Sequence, residues 1–304
     1  MKAYQNYKSL INLFGKLTFR TGLIYLEDYP MAFLKSVVIS FSMFSAIPMP
    51  NVEWNEKNMR YMMAAFPLVG NVIALFWAAL FVLGIEFQVL WQKTVPLHIF
   101  ALIFTLIPVL ITGGIHMDGF MDTSDALGSH ASREKKLEIL KDSHCGAFAV
   151  IGCVIYFLSY YVLAFELCNC FFGKESAHKF VNHFVQLLNF LPACMIFVIS
   201  RFLSAFAVAT FPIAKNSGLV HTFSSMSAKR FTAIWCATWL IIISAAMIFL
   251  FEKNGIAIIV PSILFFVFYY LTTKRNFGGI TGDTAGWFVQ LCEIFGLVGF
   301  VVSN

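Results

Sequence analysis

Charge is what this chain has least of. Only 12 % of its 304 residues are Asp, Glu, Lys or Arg, and the acids number sixteen. A soluble globular domain carries ~25 % charged residues, so a water-covered surface of ordinary kind is excluded. The seven cysteines are scattered through apolar runs and none falls in a C-x-x-C spacing. Cys168 and Cys170 form the one close pair, so the set reads as small buried hydrophobes rather than a thiolate metal site. No cleavable signal peptide is expected, because the first apolar run starts near Met31, behind a polar, basic segment too long for an n-region. No internal repeat is visible, which removes support for an inverted-repeat transporter. The net charge of +5 is modest and reports membrane orientation rather than a nucleic-acid partner.

What fills the chain instead is apolar. Hydrophobic residues make up 59 %, Phe alone occurs 35 times, and the mean hydropathy is +0.78. A bilayer core of ~30 Å needs about 20 apolar residues per helix. Runs of that kind lie at Met62–Gly84, Leu97–Ile115, Gly146–Leu167, Leu187–Phe211, Phe231–Phe251, Ile256–Thr272 and Ala285–Val302. Residues 32–47 form a shorter run with Lys35 and several serines, closed by Pro48 and Pro50, which suits an interfacial or re-entrant helix. The expectation is an all-α, polytopic integral membrane bundle with about seven transmembrane helices plus that N-terminal interfacial helix. Residues 31–304 would form one transmembrane domain, behind a basic extension over 1–30 that is loosely ordered or lies on the membrane surface.

Basic residues orient the bundle. With 32–47 not crossing, one face receives 16 Lys and Arg and the other 4; if 32–47 crosses, the bias falls to 11 against 9. The larger asymmetry favours the first arrangement, with the N-terminus and residues 116–145 in the cytoplasm.

That cytoplasmic stretch concentrates the scarce acids. Asp118, Asp122 and Asp125 stand at i, i+4 and i+7 among Met117, Phe120, Met121 and Ala126, with no base beside them. On a helix they share one stripe and repel one another unless a cation or protons compensate. An ordinary solvated face, as expected for Arg133 to Lys141, mixes both signs. The stripe therefore points to a hard divalent cation such as Mg2+, which takes carboxylate oxygens, water and often a substrate phosphate. His116, two residues ahead, is placed to orient a phosphate or a metal-bound water. On the same face, Lys274, Arg275 and the turn GGITGDT (278–284) offer cations and glycine-freed amides to a phosphate, with Asp283 able to join the metal. The plainer reading of that turn is an interhelical connection with Asp283 as N-cap. Arg201 and Glu293 are intramembrane charges that need each other or water. Pro67 and Gly70, in FPLVG, would bend or thin a helix so that others approach. Acids around a metal beside a phosphate-binding turn suit phosphoryl or nucleotidyl transfer.

Taken together, TGGIHMDGFMDTSDALG (112–128), LEILKDSHCGAF (137–148), FPLVG (66–70) and GGITGDT (278–284) resemble the cobalamin synthase family, the adenosylcobinamide-GDP ribazoletransferases. The resemblance runs from about Phe33 to the C-terminus. It implies a transferase of the cytoplasmic membrane. In the implied reaction α-ribazole, or its 5′-phosphate, attacks the pyrophosphate of adenosylcobinamide-GDP with Mg2+ required, and GMP leaves. It places Asp118, Asp122 and Asp125 in the acidic motif, Lys141, Asp142 and Ser143 in a KDS element, and Thr281, Gly282 and Asp283 in a TGD element. Arg201 and Glu293 fall where that family carries Arg and Glu. His144, Ala126 and Gln290 depart from it, standing where Arg, Gly and Glu are usual. In this reading Asp118, Asp122, Asp125 and Asp283 hold metal, while Lys274 and Arg275 steady the nucleotide. One carboxylate, Asp125 as first candidate, takes the proton of the ribazole hydroxyl. A looser likeness joins the CDP-alcohol phosphotransferases. A cation-coupled transporter is the rival of another class, and it needs acids at mid-bilayer. The oligomeric state, a homo-oligomer included, stays open.

Overall fold

The computed structural model describes residues 29–90, 94–173, 183–214 and 219–304. The extension expected over 1–30 lies outside them except for its last two residues. Among the described residues the only β pairing is an isolated parallel bridge between Ile213 and Ile280, and everything else with regular structure is helical.

The first helix, α1 (Tyr29–Phe44), has 16 residues, too few to cross at full thickness. It is fastened by its serines. Ser36 Oγ donates to the carbonyl of Asn58 at 2.6 Å and accepts from the amide of Tyr61 at 3.2 Å, which ties α1 to the short helices α2 (Glu56–Met59) and α3 (Met62–Ala65). Its exit is held where Ala46 N donates to Ile111 O at 2.8 Å.

Among the described residues five helices are long and apolar enough to cross a membrane: α4 (Pro67–Leu90), α8 (Ala147–Phe172), α9 (His183–Thr210), α11 (Lys229–Asn276) and α12 (Gly282–Ser303). The run expected from Met62 therefore starts five residues later. Pro67 opens α4 instead of bending it, because a first-turn proline gives up an amide that has no helical partner anyway. Gly70 does serve close approach: a Cβ there would meet the carbonyl of Phe197 on α9.

At 48 residues α11 would extend ~72 Å if straight, by 1.5 Å per residue. It breaks at Glu252, whose φ of 41° and ψ of −110° are not helical. A Cβ on Gly255 would strike the Met247 carbonyl, so the second arm folds back along the first. The turn expected at Glu252–Gly255 is there, and α11 supplies two of the expected passes. Asn254, at the turn, hydrogen-bonds the C-terminal Ser303 and Asn304, while Asn276, at the far end of the second arm, meets Lys136. The bundle is built around α9, which packs on α4, α11 and α12. In its membrane window 83 % of α9 is buried, against 11 % for α11, whose outward Ile, Trp and Phe side chains face lipid.

One further pair delivers the acids. The apolar α5 (Leu97–Thr112) stops at Gly113 and Gly114, which both adopt left-handed backbone with φ of 64° and 78°. Glycine takes that conformation without the strain a Cβ imposes. The chain then turns by 94° into α6 (Ile115–Gly128). α5 is the membrane arm of this bent pair. α6 packs against α8 and α12 and carries all three aspartates of the stripe.

Candidate active site

Two elements meet at the site, and small residues let them. A Cβ on Gly119 of α6 would lie 2.8 Å from Asp283 Cα, and one on Gly286 of α12 would lie 2.9 Å from the His116 carbonyl. Any side chain at either position would force the helices apart. Their contact brings Asp283, in the first turn of α12, across from Asp118 and Asp122.

Asp118 is exposed, while Asp122 and Asp283 are half-buried. Burial, together with Asp118, Asp283 and Asp125 nearby, pushes the Asp122 carboxyl up from its ordinary value to about 6. Uncompensated like charge of this kind accepts a proton or a cation. Among the described residues no three carboxylate, imidazole or thiol groups stand close enough to hold a metal unaided. A hard cation held by Asp118, Asp122 and Asp283 would need water and substrate oxygens to complete its shell, as Mg2+ usually does.

Asp125 has another occupation. Its two oxygens accept from the amides of Gly146 at 2.6 Å and Ala149 at 2.9 Å, so it closes the start of α8. These are orphan donors of a helix N-terminus, and a carboxylate satisfies them well. Asp125 would have to abandon both bonds to coordinate metal or to take a proton from an attacking hydroxyl. The geometry thus moves it from the chemical set to the scaffold.

The turn at 278–284 is also built differently from the phosphate cradle its glycines predict. The amides of Gly279, Ile280 and Thr281 already donate, to Thr273 O, Pro212 O and Thr284 Oγ1. Thr281, not Asp283, caps α12: its hydroxyl accepts from Thr284 N at 3.2 Å, and the Thr284 hydroxyl returns the bond. Thr281 Oγ1 also reaches Asp283 Oδ2 at 3.4 Å, which orients that carboxylate. Gly282 lines the cavity described below.

A cavity of about 230 Å3 opens beside Asp118 and Asp283. Its other walls are mostly apolar, formed by Phe44, Met63, Phe66 and Phe223, with His116 and Ser204 set among them. The His116 ring lies near-parallel to Phe44 at 6.1 Å and edge-on to Phe66 at 5.6 Å. It is 5 % exposed, its Nε2 has no hydrogen-bond partner, and burial plus the Arg201 charge lower its pKa to about 3. It is a neutral imidazole.

The remaining predicted residues divide. Arg201 and Glu293 are each 1 % exposed, and they form an ion pair between α9 and α12, with Arg201 also bonded to Phe197 O and Ser200 Oγ. Lys274 and Arg275 sit exposed on the last turn of α11, where Lys274 lies over the Tyr270 ring. Lys141, Asp142 and Ser143 form an exposed link after α7 (Arg133–Ile139). There the His144 amide and imidazole donate to Asp142, holding its carboxyl below the usual range. None of these seven lines the cavity.

Sequence reasoning read α7 as a solvated helix and missed what it holds. Arg133 packs over Gly278, and Lys136 is buried and donates to Asn276 at 2.6 Å, so α7 clasps the turn that carries Asp283. Phe223, on α10 (Leu219–Met226), was equally hidden. Periodicity reports a face and not its partner, so no local signal marks either.

Comparison with known proteins bears on this site directly. Residues 36–301 match the cobalamin-5-phosphate synthase family, CobS. A relative from Lachnoclostridium phytofermentans, named adenosylcobinamide-GDP ribazoletransferase, is 37 % identical over 274 residues, covering 90 % of this chain and 96 % of its own. Proteins of the same name from Clostridium perfringens and Fusobacterium nucleatum are 30 % and 29 % identical, each covering 88 % of this chain and at least 97 % of their own. No solved structure matches the chain.

Proposed function

This chain belongs to the cobalamin-5-phosphate synthase family, and we propose that α6 and α12 together form the catalytic face of an adenosylcobinamide-GDP ribazoletransferase. The enzyme is a multi-pass membrane transferase of cobalamin synthesis. It joins adenosylcobinamide-GDP to α-ribazole or its 5′-phosphate and releases GMP. The observation that carries the site assignment is the crossing at Gly119, which sets Asp283 opposite Asp118 and Asp122 at the mouth of a cavity.

In this reading Asp118, Asp122 and Asp283 hold Mg2+. The bound ion would neutralise charge on the pyrophosphate as GMP departs. Asp118, the most exposed of the three, faces the cavity and is placed to take the proton of the ribazole hydroxyl. Thr281 fixes the Asp283 carboxylate, and Asp125 fixes α6 against the start of α8. Exposed Lys274, Arg275 and Lys141 supply positive potential around the opening, where a polyanionic nucleotide approaches. The excess of Lys and Arg on this side supports a cytoplasmic-facing site in the cytoplasmic membrane. The acids gather at one face of the bundle, and the one buried ion pair among the described residues is neutral as a unit. Both features favour this reading over a cation-coupled transporter.

The test is GMP release from adenosylcobinamide-GDP by purified enzyme with α-ribazole, in Mg2+ and in EDTA. Release that needs both the metal and Asp122 supports the reading. Release of CMP from a CDP-alcohol under the same conditions, with none of GMP, would replace it.

A further inference from the structure

The cavity beside Asp118 and Asp283 is lined by more apolar surface than pyrophosphate chemistry uses. Resting on the function proposed above, we infer that this cavity is the subsite for the flat heterocyclic base of the attacking nucleoside, with His116 Nε2 reading a ring nitrogen.

Three observations converge. Phe44, Phe66 and Phe223 face one space, with Phe44 and Phe66 at 4.4 Å and Phe44 and Phe223 at 5.9 Å between ring centres. These rings pack on one another, and the continuous aromatic wall they make offers stacking and edge contacts to a flat π system. The volume, about 230 Å3, falls below the ~300–1,000 Å3 of sites for drug-sized ligands, which suits one bicyclic base and not a whole nucleotide. Finally, His116 lines the cavity with Ser204 as its one uncharged polar companion, and its Nε2 is buried and unpartnered. A buried polar nitrogen left alone is costly, and a ligand that pairs with it recovers that cost.

The same walls select among bases. A benzimidazole has one ring nitrogen left for hydrogen bonding once its other carries the sugar. Protonated at Nε2, His116 donates to it, and the apolar remainder meets Phe and Met. Guanine carries several donors and acceptors, which these walls would leave unpaired. The nucleoside sugar then emerges where Asp118 and Asp283 stand, so its hydroxyl is delivered to the acids. His116 in this account is a specificity and positioning residue; it performs no proton transfer.

The experiment measures direct binding in EDTA, without the second substrate, to full-length protein in lipid nanodiscs. The probes are benzimidazole riboside and indole riboside, which replaces the free ring nitrogen by C–H. Wild-type protein is expected to prefer the benzimidazole by about tenfold, the scale of one buried hydrogen bond. His116→Phe should bring the two within about twofold, and His116→Gln, which keeps a donor, should restore part of the preference. Phe223→Trp should weaken both nucleosides at least tenfold while binding of adenosylcobinamide-GDP stays as in wild type, which also shows that the variant is folded. A preference that survives His116→Phe, or nucleoside binding indifferent to Phe223→Trp, overturns the subsite. Wild-type protein that releases GMP with ribazole but shows either result leaves the proposed function standing. Wild-type protein that neither binds these nucleosides nor releases GMP removes both.

Discussion

Two groups of ionised side chains sit in this charge-poor bundle, and they are arranged in opposite ways. Arg201 and Glu293 lie inside, unlike in sign, paired and closed to water. Asp118, Asp122 and Asp283 lie at the edge, like in sign, partly open, and with Asp122 pushed up to about 6 by its neighbours. The buried pair cancels its own charge, although Arg201 Nε and Glu293 Oε2 are left without hydrogen-bond partners among the described residues. Acids held close together raise one another's affinity for a proton or a cation. In the function proposed above, the second arrangement is the site and the first is the frame that holds it.

Substituting the edge acids should have the largest effect. Asp118→Asn and Asp122→Asn are each expected to lower the rate of GMP release by at least about 10²-fold, the scale on which a lost electrostatic contact slows a charged transition state. Melting temperature should hardly fall, since each change removes like-charge repulsion. A folded double variant with undiminished rate would break the comparison at its centre.

The buried pair should behave in reverse. Glu293→Gln leaves a guanidinium uncompensated and is expected to cost about 3–5 kcal/mol of stability, read as a marked drop in melting temperature. Replacing both, Arg201→Met with Glu293→Leu, should recover most of it. Transfer per folded molecule should then stay within a few-fold of wild type. Loss of transfer in that folded double variant would move the pair into the site, as the family resemblance expects.

A third test uses pH. Asp122 binds its proton more tightly folded than unfolded, so its contribution to stability is most favourable below its ordinary pKa of 3.8 and is lost as pH rises to about 6. Metal competes for the same oxygens, and apparent Mg2+ affinity should weaken below pH 6 by about tenfold per unit for a single competing proton. Asp122→Asn should raise stability above pH 6 and abolish that slope. A slope unchanged in the variant would assign the proton elsewhere.

Asp125 gives the smallest effect and separates the two groups most finely. Asp125→Ala removes the acceptor for Gly146 and Ala149 and should cost about 1 kcal/mol, as lost helix caps do. Transfer should fall little once stability is matched. Abolished transfer at an unchanged melting temperature would return Asp125 to the chemical set.

These contrasts also show how far the residues could be read in advance. Hydropathy located the crossing helices and the turn at Glu252, because lipid leaves the backbone no alternative to continuous helix. The scarcity of acids made Asp118 and Asp122 conspicuous, and the pairing of Arg201 with Glu293 was one of two options the sequence left. The role of Asp125 was not legible. Its i+7 position assigns it to the stripe, but the amides that claim it come 21 and 24 residues later, brought there by the fold of α8 over α6. The clasp by Arg133 and Lys136 was invisible for the same reason, since α7 reads locally as a solvated helix. Thr281 displaced Asp283 as cap because a threonine three residues before Thr284 can close a reciprocal pair of bonds, which the acid-first reading overlooked.

The most direct test of the central claim is binding of Mn2+, as a spectroscopic stand-in for Mg2+, followed by electron paramagnetic resonance. Wild-type protein and the Arg201→Met, Glu293→Leu variant should bind the ion alike, more tightly with adenosylcobinamide-GDP present, while Asp118→Asn with Asp122→Asn should lose the site. Equal binding by the aspartate variant and wild type would contradict the account.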